Sequence, residues 1–201
     1  MDKPATPYGD AHPTELSTPV PREEVHNRRI SCNGFVREDG LYDIEAELTD
    51  NKTYPFPTEF RGDVTPDQFI HHMKVRVTVD RDMKVHAAEA LTISGPYAAC
   101  PTANDVLDSL VGLTIGPGWR RRVTDAIGGR HGCTHITELM GVVGTIAYQT
   151  RYGEDARRRR LRVGATGMET AKSRSEKRAS VLANSCICLL YTSDAADDCW
   201  S

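Results

Sequence analysis

The sequence predicts an α+β domain, an antiparallel β-sheet of about four or more strands with three helices packed on one face. Three observations carry this. Met73-Lys74-Val75-Arg76-Val77-Thr78-Val79 alternates apolar and polar residues, turns at Asp80-Arg81-Asp82 and returns through Val85 to Ile93. Arg29 to Val36 and Leu41 to Thr49 alternate in the same way around Glu38-Asp39-Gly40, a hairpin turn signal. Downstream the apolar period changes from two to that of a helix, three times over.

The elements follow in order. Residues 1–27 are polar and proline-rich and are expected to form a disordered arm. The hairpin opens the domain, expected over residues 28–150. Ile30, Cys32, Gly34 and Val36 share one face of its first strand, so Cys32 is expected to be a buried small hydrophobe. Tyr42, Ile44, Ala46 and Leu48 share one face of the second. Tyr54 to Gln68 holds three prolines and a glycine and is expected to be a loop. After the Met73 hairpin, Pro101 suits the first position of a helix carrying Val106, Leu107, Leu110 and Val111. Gly116-Pro117-Gly118 starts a second, with Trp119, Val123 and Ile127 on one side, and Gly128-Gly129 stops it. The third follows Cys133, where Thr134 can cap and Ile136, Leu139, Met140, Val143, Ile146 and Ala147 form a stripe. The Val75, Val77 and Val79 face is expected to meet Val106, Leu110, Leu139, Val143 and Ile146.

Composition excludes several classes. The chain has 201 residues with 25 basic and 28 acidic side chains, a net charge of −3. That balance demands neither nucleic acid nor membrane. No apolar run approaches the roughly 20 residues of a membrane span. The first residues are no signal peptide, so a cytoplasmic location and reduced thiols are expected. Arg157 to Arg160 is a basic run without interleaved aromatics, and a basic, solvated, mostly disordered segment of a truncated C-terminus is expected over 151–187 rather than a nucleic-acid surface. From Cys188 to Asp198 the residues resemble one reading frame of a transposase adapter used in sequencing libraries, so 188–201 are expected to carry no function.

The chemistry points to cysteine and histidine. Cys100 and Cys133 each stand just before an expected helix, where the dipole and free N–H groups favour a thiolate. His131 and His135 flank Cys133, and His71 and His72 precede the Met73 strand. One of each histidine pair with the two thiols makes an S₂N₂ set, which suits tetrahedral zinc or a histidine-ligated iron–sulfur cluster. Asp105 and Glu138 are candidates to hydrogen-bond the ligands from behind. No cysteines are spaced C-x-x-C, and no nucleophile signature is present. The rivals are a thiol enzyme, with Cys100 or Cys133 attacking and His131 or His135 as base, and an adaptor domain whose cysteines are merely buried.

Two resemblances add to this. Arg28-Arg29-Ile30, Asp39 to Glu45, Leu48-Thr49-Asp50, Ile115 to Trp119 and Gly132 to His135 resemble a bacterial domain-of-unknown-function 2889 family, over roughly residues 28–150. Met73 to Tyr148 is more distantly similar to iron–sulfur scaffold proteins of the IscU and NifU N-terminal type. The likeness lies in the Met73-Lys74 strand start, the Asp80 to Asp82 turn, Cys100, Gly112-Leu113-Thr114 and Cys133. It implies a scaffold fold, a zinc or iron–sulfur ligand, and a client or cysteine-desulfurase-like partner. The sequence departs from that pattern where Phe69-Ile70-His71-His72 replaces the Cys-Gly-Asp of the scaffold, and where Gly132 replaces its last histidine.

Overall fold

The computed structural model describes residues 15–163. Six strands, three short 3-10 segments and two α-helices follow one another along it. The main sheet is antiparallel with four strands, β1 (His26–Val36), β2 (Tyr42–Lys52), β5 (His71–Val79) and β6 (Val85–Ser94), in the order β1-β2-β5-β6. The expected hairpins form at both ends of this sheet, and Gly40 turns the first with φ +87°. The segment read as a loop holds a small hairpin of its own, β3 (Phe56–Thr58) and β4 (Gly62–Val64). Three-residue strands are too short to leave a periodic signal.

One face of the sheet is buried and the other meets solvent. On β2, Tyr42, Ile44, Ala46, Leu48 and Asp50 point inward. On β5 the inward residues are Met73, Val75, Val77 and Val79. Helical segments cover this face. The first is not an α-helix but two 3-10 stretches, Cys100–Ala103 and Asp105–Leu110, which bury Leu107 and Leu110. α1 (Trp119–Ile127) buries Trp119, Val123 and Ile127. α2 (Thr134–Val163) lays Ile136, Leu139, Met140, Val143 and Ala147 on the core. The valine face of β5 shares this core with Leu110, Leu139 and Val143, and with the half-buried Val106 and Ile146. No helix among the described residues is long and apolar enough to cross a membrane.

α2 does not stop near Thr150, where the sequence analysis closes the domain. It continues to Val163 through part of the segment expected to be disordered. Glu154, 6 % exposed, explains the extension. Its carboxylate accepts hydrogen bonds from Arg157 and Arg158, at 2.6 Å each, so part of the basic run is paired within the helix rather than self-repelling. Arg81 in the β5–β6 turn also donates to Asp155 at 2.6 Å. Residues 1–14 of the expected arm, and 164–201 with the adapter-like stretch, lie outside the described residues.

Candidate metal centre

The sheet register builds the site. Arg28, Asp50 and His71 are cross-strand partners and form one rung across β1, β2 and β5. All three stand on the helix-covered face, at the end of the sheet where α2 begins. His135, in the first turn of α2, descends onto this rung.

Asp50 is the centre, with 1 % exposure. Arg28 grips it with a two-pronged pair, Nε to Oδ1 at 2.7 Å and an NH₂ to Oδ2 at 2.6 Å. The third arm of that guanidinium donates to Glu138 on α2 at 2.5 Å. His71 Nδ1 lies 3.1 Å from Oδ2, His135 Nε2 3.7 Å from the same oxygen, and His26 Nε2 3.5 Å from Oδ1. The rings of His71 and His135 lie 3.9 Å apart, tilted by 34°. Cys133 Sγ is 3.7 Å from His135 Nδ1 and 3.8 Å from Met73 Sδ.

The electrostatics follow from burial and charge. Burial pushes Asp50 towards the protonated form, but the Arg28 hydrogen bonds and charge, helped by His71 and His26, hold its pKa below the usual carboxylate range. Burial, and after it the charge of His135, lower the pKa of His71 to about 4. Burial and then the Arg28 charge lower that of His135. At neutral pH the cluster of Asp50, His71 and His135 therefore holds an ionised carboxylate and two neutral imidazoles, the protonation states a metal ion requires.

Asp50, His71 and His135 each offer a ligand atom, and these atoms all lie within 4.8 Å of one another. Of the residues expected from the sequence, His71, His135 and Cys133 come together here. Glu138 reaches the site through Arg28, as a supporting group. The other candidates lie elsewhere. His72 points to the opposite face and pairs with Glu47 at 2.6 Å. His131 is exposed in the 3-10 segment Gly129–His131. Cys100 packs beside Gly95, so closely that a Cβ added there would lie 2.7 Å from its sulfur. Neither Cys100 nor Asp105 belongs to the gathered group. Cys32 is half-buried and burial pushes its thiol up to about 11, consistent with an inert hydrophobe.

Asp50, Arg28 and Met73 are missing from the sequence-derived set. The inward alternation Tyr42, Ile44, Ala46, Leu48 continues to Asp50, and an acid in a core position requires a partner. That was the available signal for Asp50.

Fold and site together define a small α+β domain carrying a cluster of one ionised aspartate and two neutral histidines at one end of a half-covered sheet. The chain belongs to the family described as "Protein of unknown function (DUF2889)", whose model matches residues 26–149. No curated protein matches the chain and no solved structure does. The iron–sulfur scaffold likeness therefore rests on the residues quoted for it alone.

Proposed function

We propose that this domain binds a transition-metal ion of the zinc type through Asp50, His71 and His135. The single observation that carries this is the spacing of the donors. Two ligand atoms each about 2.0–2.1 Å from one ion, at a tetrahedral angle, stand about 3.3 Å apart. The separations of 3.1 Å and 3.7 Å from Asp50 Oδ2 to the two imidazole nitrogens bracket that distance. Arg28 suits the task of orienting Asp50, whose carboxylate has lone pairs left after two hydrogen bonds. Two histidines and one carboxylate leave coordination positions open, as in metal sites that bind a further small ligand.

Zinc and cobalt titration of metal-free protein tests this, with cobalt absorption reporting the geometry. We expect one equivalent bound tightly, and at least a tenfold loss of affinity in His71→Ala and in His135→Ala. Wild-type protein that takes up neither ion stoichiometrically would end the proposal. The iron–sulfur form requires Cys100 to join Cys133. Anaerobic purification with iron and acid-labile sulfide analysis tests it, and the desulfurase-like partner stands or falls with the sulfide.

A second reading has its own observation. Cys133 Sγ, the two nitrogens of His135 and Asp50 Oδ2 run in sequence with gaps of 3.7 Å on each side of the ring. That order suits a thiol activated by an imidazole, itself oriented by a carboxylate. Stoichiometric alkylation of Cys133 at mildly acidic pH in metal-free protein, abolished by His135→Ala, would favour this reading over the metal.

A further inference from the structure

His135 faces two ways, and its second face is lined by sulfur. Its Nε2 looks towards Asp50, while Nδ1 lies 3.7 Å from Cys133 Sγ. That sulfur is 3.8 Å from Met73 Sδ. Met73 is fully buried, whereas Cys133 and His135 are half-buried.

These separations fit one small ion. With metal–sulfur bonds of about 2.3 Å and a metal–nitrogen bond of about 2.0 Å, bond angles near 120° place sulfur and nitrogen about 3.7 Å apart and two sulfurs about 4.0 Å apart. The distances from Cys133 Sγ to the other two donors, 3.7 Å and 3.8 Å, therefore suit one ion shared by all three. A thiolate and a thioether are soft donors, and they favour copper(I) among the ions that accept three ligands. Charge points the same way. Copper(I) displaces the thiol proton to solvent, and the thiolate–copper pair is neutral, which suits a site whose inner wall is apolar. A divalent ion on the same atoms would leave a positive charge against Met73 and the core.

We infer that Cys133, Met73 and His135 Nδ1 form a copper(I) site, adjoining the Asp50 cluster but built from different atoms. The site goes beyond the zinc-type proposal, and the two share only the His135 ring.

The test is an anaerobic competition titration with copper(I) and a chromophoric copper(I) chelator. It uses the full chain with Cys186→Ser, Cys188→Ser and Cys199→Ser in every arm, so that those thiols do not compete. We expect one equivalent bound, a fall in affinity of at least about tenfold in Met73→Leu, a volume-conserving swap, and loss of the tight site in Cys133→Ser. We expect His71→Ala to leave copper(I) affinity unchanged. Zinc titrations on the same proteins should show the reverse, with Met73→Leu silent and His71→Ala weakened. Copper(I) affinity unaltered by Met73→Leu, in protein whose thermal melt matches wild type, overturns the inference whatever zinc does. So does wild-type protein that binds copper(I) no tighter than Cys133→Ser. Loss of zinc binding alone, with the copper(I) pattern intact, would sink the zinc proposal and leave this one standing.

Discussion

His71 is held neutral by its surroundings, and this has a measurable cost in acid. An unfolded histidine titrates near pH 6.5, whereas burial and the neighbouring His135 bring His71 down to about 4. Between those values the unfolded chain holds a proton that the folded chain lacks. Stability therefore falls as the pH drops through about 6.5 and levels off below about 4. The full loss is roughly 3 kcal/mol. Asp50 adds to the same acid sensitivity at lower pH. Its depressed pKa adds stability above the ordinary carboxylate value, and that stability is lost only as the pH falls further, through its folded pKa. Urea unfolding of metal-free protein from pH 7 to pH 4 should show the His71 slope, and His71→Gln should flatten it. An equal slope in the variant would mean that the neutral imidazole does not set the acid sensitivity.

At the scale of elements, the packing of α2 on β1 depends on an absent side chain. A Cβ added to Gly34 would lie 1.7 Å from Thr150 Oγ1 and 2.8 Å from Thr150 Cβ, so helix and strand touch there. Gly34→Ala should cost about 1–3 kcal/mol, the usual penalty of overpacking. Thr150→Ala should restore part of it, because the hydroxyl and methyl leave while the Cβ contact remains. A Gly34→Ala protein as stable as wild type would mean that α2 sits further from the sheet than described. The strands were legible in the sequence because one face of β2 and β5 is wholly buried, which forces alternation on Tyr42 to Leu48 and on Met73 to Val79. The region after Cys100 was legible only as helical. Pro101, Val106, Leu107 and Leu110 fit an α-helix and a 3-10 path equally well over so few turns.

The whole molecule extends further along α2 than its apolar stripe suggests. Beyond Ala147 the helix is held by polar contacts: Tyr148 donates to the Ile115 carbonyl, Asp155 accepts from Arg81, and Glu154 is buried beneath its arginines. Ending the chain after Thr150 should lower the melting temperature by several degrees relative to ending it after Val163. Equal melts would show that the distal helix only decorates the domain. The site was legible in part for a related reason. Histidine and cysteine announce themselves as ligand types, so His71, His135 and Cys133 could be nominated from the sequence. Which partners converge is a matter of long-range register, and no local pattern ties Asp50 to His71 or either to α2. Cys100, like Cys133, stands just before a helical segment, yet its segment packs against the end of β6.

The Arg28–Asp50–His71 rung spans three strands. If β5 slid by one residue against β2 so that Ile70 stood opposite Asp50, His71 would swing to the solvent side and the carboxylate would keep Arg28 but lose its β5 imidazole. Such a misaligned chain would retain most of its hydrogen-bonded ladder while losing one of the three donors of the proposed ion site. Ion uptake would then discriminate between correctly threaded molecules and compact impostors, giving a readout of assembly that spectroscopic strand content alone does not provide.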